Sequence, residues 1–205
     1  MEAKPQDDKS TNKSGKVVVV GDGACGKTCL LEVFKRNRFP EEYIPTVVDN
    51  FVKDVVLDDE ENTTVTLTLW DTAGQEDYDS VRPLSYKDTD LVLLCYSIEN
   101  RSMLPNISNK WLYEIKNYCP TASYFLIGLK KDIRTTPTPD INPDKIITYE
   151  EGQNISNEIN SANFLECSAK TGENVNAVFK AAAEHIRINK STAKKEKKWY
   201  FCFCC

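Results

Sequence analysis

Histidine is nearly missing from this chain: His185 stands alone among 205 residues, so catalysis by an imidazole acid or base has little to draw on. It falls in the last helical pattern, where a solvated side chain is expected. Long apolar runs are missing too, and no stretch suffices to span a bilayer. No internal repeat divides the chain. The first twenty residues hold no apolar signal core and no Met-Gly start, so neither secretion nor N-myristoylation is expected. The body shows no basic face, which argues against nucleic acid as a partner. The eight cysteines are accordingly read in a reducing compartment, without disulfides. Cys25, Cys29, Cys95, Cys119 and Cys167 fall in expected core elements, whereas Cys202, Cys204 and Cys205 crowd the last positions. Triplets such as Asn62-Thr63-Thr64 have glycosylation spacing but meet no glycosylation machinery in that compartment.

What is present is enough apolar content, 40% of 205 residues, for one α/β domain with a substantial core and short tails. The net charge of −5 is unevenly spread: from Arg187 onward six basic residues and Glu196 give +5, which leaves −10 for the rest. A basic tail on an acidic body suits an anionic membrane surface. Residues 1–14 are polar and expected to be disordered, 15–189 to form the domain, and 190–205 to form the basic tail. Strands are expected at Lys16 to Val20, Asn50 to Leu57, Val65 to Trp70, Leu91 to Tyr96, Ser123 to Leu129 and Phe164 to Cys167. Helices are expected after Lys27, over Asn106 to Tyr118, over Glu150 to Ile159 and over Val175 to Ile188. That alternation implies a six-stranded, mostly parallel sheet with helices on both faces, and a ligand outside the carboxyl ends of its strands.

The first motif is Gly21-Asp22-Gly23-Ala24-Cys25-Gly26-Lys27-Thr28, set between the apolar run Val17 to Val20 and a helix that starts through Cys29. It reads as a phosphate-binding P-loop: glycines turn backbone N–H groups inward, Lys27 reaches the outer phosphates, and the Thr28 hydroxyl suits Mg²⁺. The second is Trp70-Asp71-Thr72-Ala73-Gly74-Gln75-Glu76, which also leaves an apolar strand. There Asp71 is placed to hold Mg²⁺ through water, Gly74 to bring its N–H to a terminal phosphate, and Gln75 to orient an attacking water.

With both motifs in hand the chain resembles the Ras superfamily of small GTPases, and the Rho family most closely, over residues 16 to 188. The match is carried by GDGACGKTCLL from Gly21, FPEEYIPTV from Phe39, WDTAGQEDYD from Trp70, RPLSY from Arg82, KKD from Lys130 and ECSAKTG from Glu166. The resemblance implies a Ras-like P-loop NTPase fold that binds GTP and GDP with Mg²⁺ and hydrolyses GTP. Thr28 and Thr46 would ligate the ion, Thr46 only while a γ-phosphate is present, and Tyr43 would lie over the phosphates. Lys27, Gly74 and Gln75 would carry the catalysis, with Gly23 kept free of a Cβ that would intrude where Gln75 and an activating protein's arginine must fit. Asp132 would select guanine by accepting from N1–H and N2–H₂. Ala169, in Ser168-Ala169-Lys170, would meet O6, while Phe39 and the stem of Lys130 would flank the ring. The implied partners of such a monomer are exchange factors, activating proteins, a dissociation inhibitor and effectors at the switch loops. Work in actin and polarity signalling on the cytoplasmic face of a membrane is implied as well.

Three departures qualify the likeness. Leu129 stands where the family's base-recognition box opens with Asn or Thr, which predicts weaker binding and faster exchange, or at the extreme a fast-exchanging scaffold with little hydrolysis. The segment from Arg134 to Tyr149 carries Pro137, Pro139 and Pro143, so it is expected as a shortened loop instead of a helical insert. Val48, Ser80 and Val81 also depart from the family's switch surfaces. At the end, Cys202 fits a CaaX prenylation signal, and Cys204-Cys205 fits a paired-cysteine ending instead. Cys25 and Cys29 are expected as buried small hydrophobes, Trp111 as core and Tyr113 as surface.

Overall fold

Residues 13–41, 46, 48–136 and 142–202 are described by a computed structural model of the chain. Six strands form one sheet in the order β2-β3-β1-β4-β5-β6. They are β1 (Lys13–Gly21), β2 (Val48–Val56), β3 (Thr64–Thr72), β4 (Leu91–Ser97), β5 (Ser123–Leu129) and β6 (Asn163–Glu166). Only β2 runs antiparallel to its neighbour, paired with β3 across the acidic turn that follows Leu57. The four valines of β1 show why the sheet is central. Val17 and Val19 enter one core, Val18 and Val20 the other, and all are fully buried. Such a strand reads as a continuous apolar run because both its faces are covered.

On the first face lie α1 (Lys27–Arg36) and α5 (Val175–Cys202), joined where Phe34 stacks on Phe179 at 3.8 Å between ring centroids. The second face is covered by α2 (Leu104–Asn106), a π-helical stretch Ile107–Leu112 and α3 (Tyr113–Tyr118), which follow one another without a break. Ile107, Trp111 and Ile115 bury against the sheet and Tyr113 faces out, as their spacing implies. α4 (Tyr149–Glu158) begins with a capping box in which Thr148 and Glu151 satisfy each other's backbone N–H. Arg101 pairs with the same carboxylate, and hydrogen bonds from Arg101 and the Thr148 backbone hold the Glu151 carboxyl down at about 2 against an ordinary 4.5.

The sign of that shift sets a pH window. Stabilisation by Glu151 is complete above about pH 4.5 and is lost as pH falls toward 2. Both partners are solvated, so screening by water keeps the contribution of the pair small. Glu151→Gln should lower the melting temperature by about 2 °C at pH 7, and the gap from the parent should narrow below pH 4.5. A gap of constant size across that range would contradict the assignment.

The element bounds differ from expectation at both ends. β1 begins at Lys13, so Lys13 and Ser14 belong to the sheet, with Lys13 Nζ donating to Ser191 Oγ at 2.6 Å. α5 continues past Ile188 to Cys202. Its apolar periodicity fades there, but Ala, Lys and Glu are strong helix formers in their own right. His185 is half-buried with its ring edge-on to Phe125, not solvated, and burial lowers its pKa. Residues 1–12, Tyr43, Pro137, Pro139, Cys204 and Cys205 lie outside the described residues. Beyond that gap Pro143–Lys145 forms a single 3₁₀ turn. Among the described residues, no helix is long and apolar enough to cross a membrane.

Candidate functional site

The carboxyl ends of β1, β3 and β5 open into two adjoining hollows that share Gly26, Cys29, Phe39 and Lys130. The larger, about 310 Å³, is lined by the P-loop from Gly23 to Thr28 without Cys25, by Thr46, and by Thr72 to Gln75. The smaller, about 230 Å³, is lined by Glu99, Leu129, Lys130, Asp132, Ile133, Ala169 and Lys170 besides the shared residues. Together they make one cleft, with phosphate-loop chemistry at one end and, at the other, a largely apolar slot whose lining includes the carboxylates of Asp132 and Glu99.

The P-loop has its shape before any ligand enters. Gly26, at φ 112°, turns the chain into α1 in a conformation that side chains rarely adopt. Lys27 is buried, and its ammonium donates to the carbonyls of Gly21 at 2.8 Å and Asp22 at 2.9 Å. Gly21 meets that ammonium through its backbone, and neither Gly21 nor Cys25 lines the cleft. The Asp22 side chain turns away altogether: it accepts from Asn106 Nδ2 at 2.8 Å and Trp111 Nε1 at 2.7 Å. An expected phosphate-loop side chain is thus a strut to the helix behind it. Cys29 is half-buried and lines the cleft, in contrast to the buried position expected. Burial pushes the thiols of Cys25 and Cys29 up, which leaves little reactive thiolate.

Three segments bring oxygen atoms together beneath the larger hollow. Thr28 Oγ1 and Thr46 Oγ1 lie 2.7 Å apart, and Thr46 Oγ1 donates to Asp71 Oδ2 at 3.3 Å. Asp71 is buried, which pushes its carboxyl pKa up against the opposing pull of Thr28, Lys27 and Thr46. Its other oxygen, Oδ1, is buried without a hydrogen-bond partner. An all-oxygen cluster with one unsatisfied carboxylate oxygen fits a small hard cation such as Mg²⁺.

Gly74 packs against the P-loop so closely that a Cβ would stand 2.3 Å from the Gly21 carbonyl oxygen. Gln75 is exposed beside it, and a Cβ built on Gly23 would stand 3.4 Å from Gln75 Cγ. That is contact without overlap, so alanine there touches Gln75 and only a longer side chain intrudes on it. At the other end Ser168 is buried, donates its hydroxyl to Asp132 Oδ1 at 2.6 Å, and serves by holding that carboxylate. Ala169 and Lys170 line the slot as expected. Lys130 sits in the left-handed region at φ 63° and pairs with Glu99 across the slot. Leu129 is buried and lines the slot with Gly26 and Lys130, and its side chain has no hydrogen bond to offer the P-loop.

Sequence reasoning passed over Glu99, Ile133 and the Asp22 partners. Glu99 carried a signal, since it leaves the apolar strand β4 at the same sheet edge as Asp71 leaves β3. Asn106 and Trp111 carried none, because their bond to Asp22 spans 84 and 89 residues.

A P-loop, the Asp71 carboxylate of β3 and an adjoining slot lie at one edge of this sheet. The Ras family model matches residues 16–188. The chain belongs to the Ras family, and it is a GTP-binding switch enzyme that hydrolyses GTP. Within that class it is a Rho-like small GTPase: it is 44% identical over 199 residues to the GTP-binding protein rho5 of Schizosaccharomyces pombe, covering 94% of this chain and 98% of that protein.

Proposed function

We propose that the cleft holds GTP or GDP with Mg²⁺, and that the nucleotide state decides whether the segments around Thr46 and Gly74 are ordered. The convergence of Thr28, Thr46 and Asp71 from three separate segments carries this reading. Thr28 and Thr46, with Asp71 acting through water, would hold Mg²⁺, which would supply positive charge to offset that of the outer phosphates. Backbone N–H groups from Gly23 to Thr28 cradle the phosphates, and Lys27 moves from its carbonyl partners to the outer ones. Gly74 presents its N–H to the γ-phosphate, and Gln75 orients the attacking water. Thr46 then reports the γ-phosphate by keeping its segment closed. Tyr43 covers the phosphates in the same reading.

At the base, Asp132 accepts from the guanine edge, the Ala169 N–H meets O6, and Phe39 and the Lys130 stem flank the ring. No arginine lines either hollow among the described residues. Intrinsic hydrolysis is therefore slow, and an activating protein that inserts an arginine adds on the order of 10⁵-fold, the gain seen for Ras itself. Exchange factors, a dissociation inhibitor and effectors act through the two switch segments of the monomer. A prenyl group on Cys202, or on Cys204 and Cys205, acts with the tail lysines, at about 1 kcal/mol each, to hold the protein on the cytoplasmic face of an anionic membrane. Signalling to actin and polarity fits the Rho-like sequence.

Single-turnover hydrolysis of bound GTP, with and without a Rho-type activating protein, tests the switch. Turnover that neither removal of Mg²⁺ nor the activating protein changes would sink it. Mass spectrometry of the native protein reads the lipid. Leu129 in the lining of the slot, where it has no side-chain hydrogen bond to offer, favours a second reading, a fast-exchanging scaffold with little hydrolysis. Leu129→Asn restores a polar tie worth about 1 kcal/mol and should slow GDP release about fivefold. An unchanged release rate would assign Leu129 no part in exchange.

A further inference from the structure

Arg82 lies outside the cleft, yet its side chain has no solvent exposure. All three of its nitrogens donate. Nε and Nη2 donate to the two oxygens of Glu114 at 2.6 and 2.7 Å, Nη2 also meets Asp79, and Nη1 donates to the carbonyl of Ala73 at 3.0 Å. Tyr86 adds its hydroxyl to Glu114 at 2.6 Å, and the guanidinium carbon stands 4.6 Å from the centroid of the Trp111 ring. Burying so many charges gains little stability over an apolar cluster of the same size. The arrangement instead fixes a direction. With Glu114 holding two nitrogens, the third N–H is aimed at one backbone carbonyl.

That carbonyl belongs to the peptide that supplies the N–H of Gly74. The peptide is planar and trans, so holding C=O toward Arg82 points the Gly74 N–H the opposite way. Gly74 itself lines the larger hollow. Trp111, which backs the guanidinium, is also the donor to Asp22 in the P-loop. Its companion donor Asn106 lies five residues earlier, and the π-helical stretch between them brings residues at that spacing onto one carboxylate. Arg82 therefore rests on a ring that is itself pinned to the phosphate loop.

We infer that Arg82 is a positioning residue for the Gly74 amide, seated by Glu114 and Trp111, and that it acts on the triphosphate-bound state alone. The inference rests on the reading that the Gly74 N–H meets the γ-phosphate. A lysine keeps the charge and stem of Arg82 but cannot fork to Glu114 and Ala73 together.

In the full chain, Arg82→Lys should cut affinity for a non-hydrolysable GTP analogue about fivefold relative to GDP. GDP affinity itself should change less than about twofold, and single-turnover hydrolysis should slow by about tenfold or more. Trp111→Phe keeps a ring under the guanidinium but removes the donor to Asp22, and should move the ratio the same way, about twofold. A purely structural role would lower both affinities equally. Equal losses, or none, in Trp111→Phe and in any Arg82→Lys protein that folds would overturn the inference. Thr46→Ala is measured beside them. If it shifts the analogue-to-GDP ratio and neither other variant does, the positioning inference fails alone; if it shifts nothing, the γ-phosphate reading fails and the inference falls with it.

Discussion

Gly74→Ala is expected to leave a protein that holds GDP but no longer hydrolyses GTP. A Cβ there would stand 2.3 Å from the carbonyl oxygen of Gly21 and 2.5 Å from backbone atoms of Asp22 and Gly23, so no side chain is available to give way. One of two backbones must move. The P-loop is held by β1 between its two neighbouring strands and by the Lys27 ammonium on its carbonyls, whereas Gly74 leads into the exposed segment of Gln75 and Glu76. The exposed segment yields. A displacement of about 1 Å at a reacting centre costs roughly 10²-fold. Single-turnover hydrolysis should therefore fall by about 100-fold or more, with GDP affinity within about fivefold of the parent. Hydrolysis within tenfold of the parent would show that Gly74 can back away from the P-loop without disturbing Gln75.

Asp132→Asn should exchange guanine for xanthine. The carboxylate is buried at the floor of the slot with one oxygen already bound by the Ser168 hydroxyl, so its orientation is fixed. Guanine offers two donors to it, and hydrogen bonds to a charged group are worth about 1.5–3 kcal/mol each. Their loss predicts a drop of roughly 10² to 10⁴ in GDP affinity. Xanthine carries an oxygen where guanine carries N2–H₂, and the new amide can donate to it. Paired titrations with GDP and xanthosine diphosphate read the result. GDP affinity unchanged within threefold would place the base elsewhere.

Most of the cleft was legible because its signals are local. The P-loop is a run of eight residues between an apolar strand and a helix, and Asp71 leaves another apolar strand at the same edge. The six strands followed from apolar runs, and two cores followed from a β1 with no polar face. What escaped depends on distant partners. Asp22 sits inside the motif, so sequence reasoning counted it toward the phosphate, but donors on the helix behind it take its carboxylate. Ser168 likewise turns inward to Asp132. Arg82 appeared only as part of a matching string, since nothing local signals that an arginine will be wholly buried. The π-helical stretch was hidden because its apolar residues still repeat at ordinary helical spacing. Two boundaries failed for a simpler reason: Lys13 and Ser14 pair in β1 without apolar side chains, and α5 runs on past the last apolar repeat through a stretch rich in Ala, Lys and Glu, which favour helix by propensity.

β1 enters the sheet at Lys13, and α5 passes the same pole, where Lys190 grips the Ser14 carbonyl and Asp90, and Lys13 meets Ser191. Gly21, where the chain enters the P-loop, is the far end of that strand, about 26 Å away at ordinary strand rise. A pull applied between the two ends of the chain therefore meets the bonds between β1 and α5 at this pole first, one strand length from the nucleotide end.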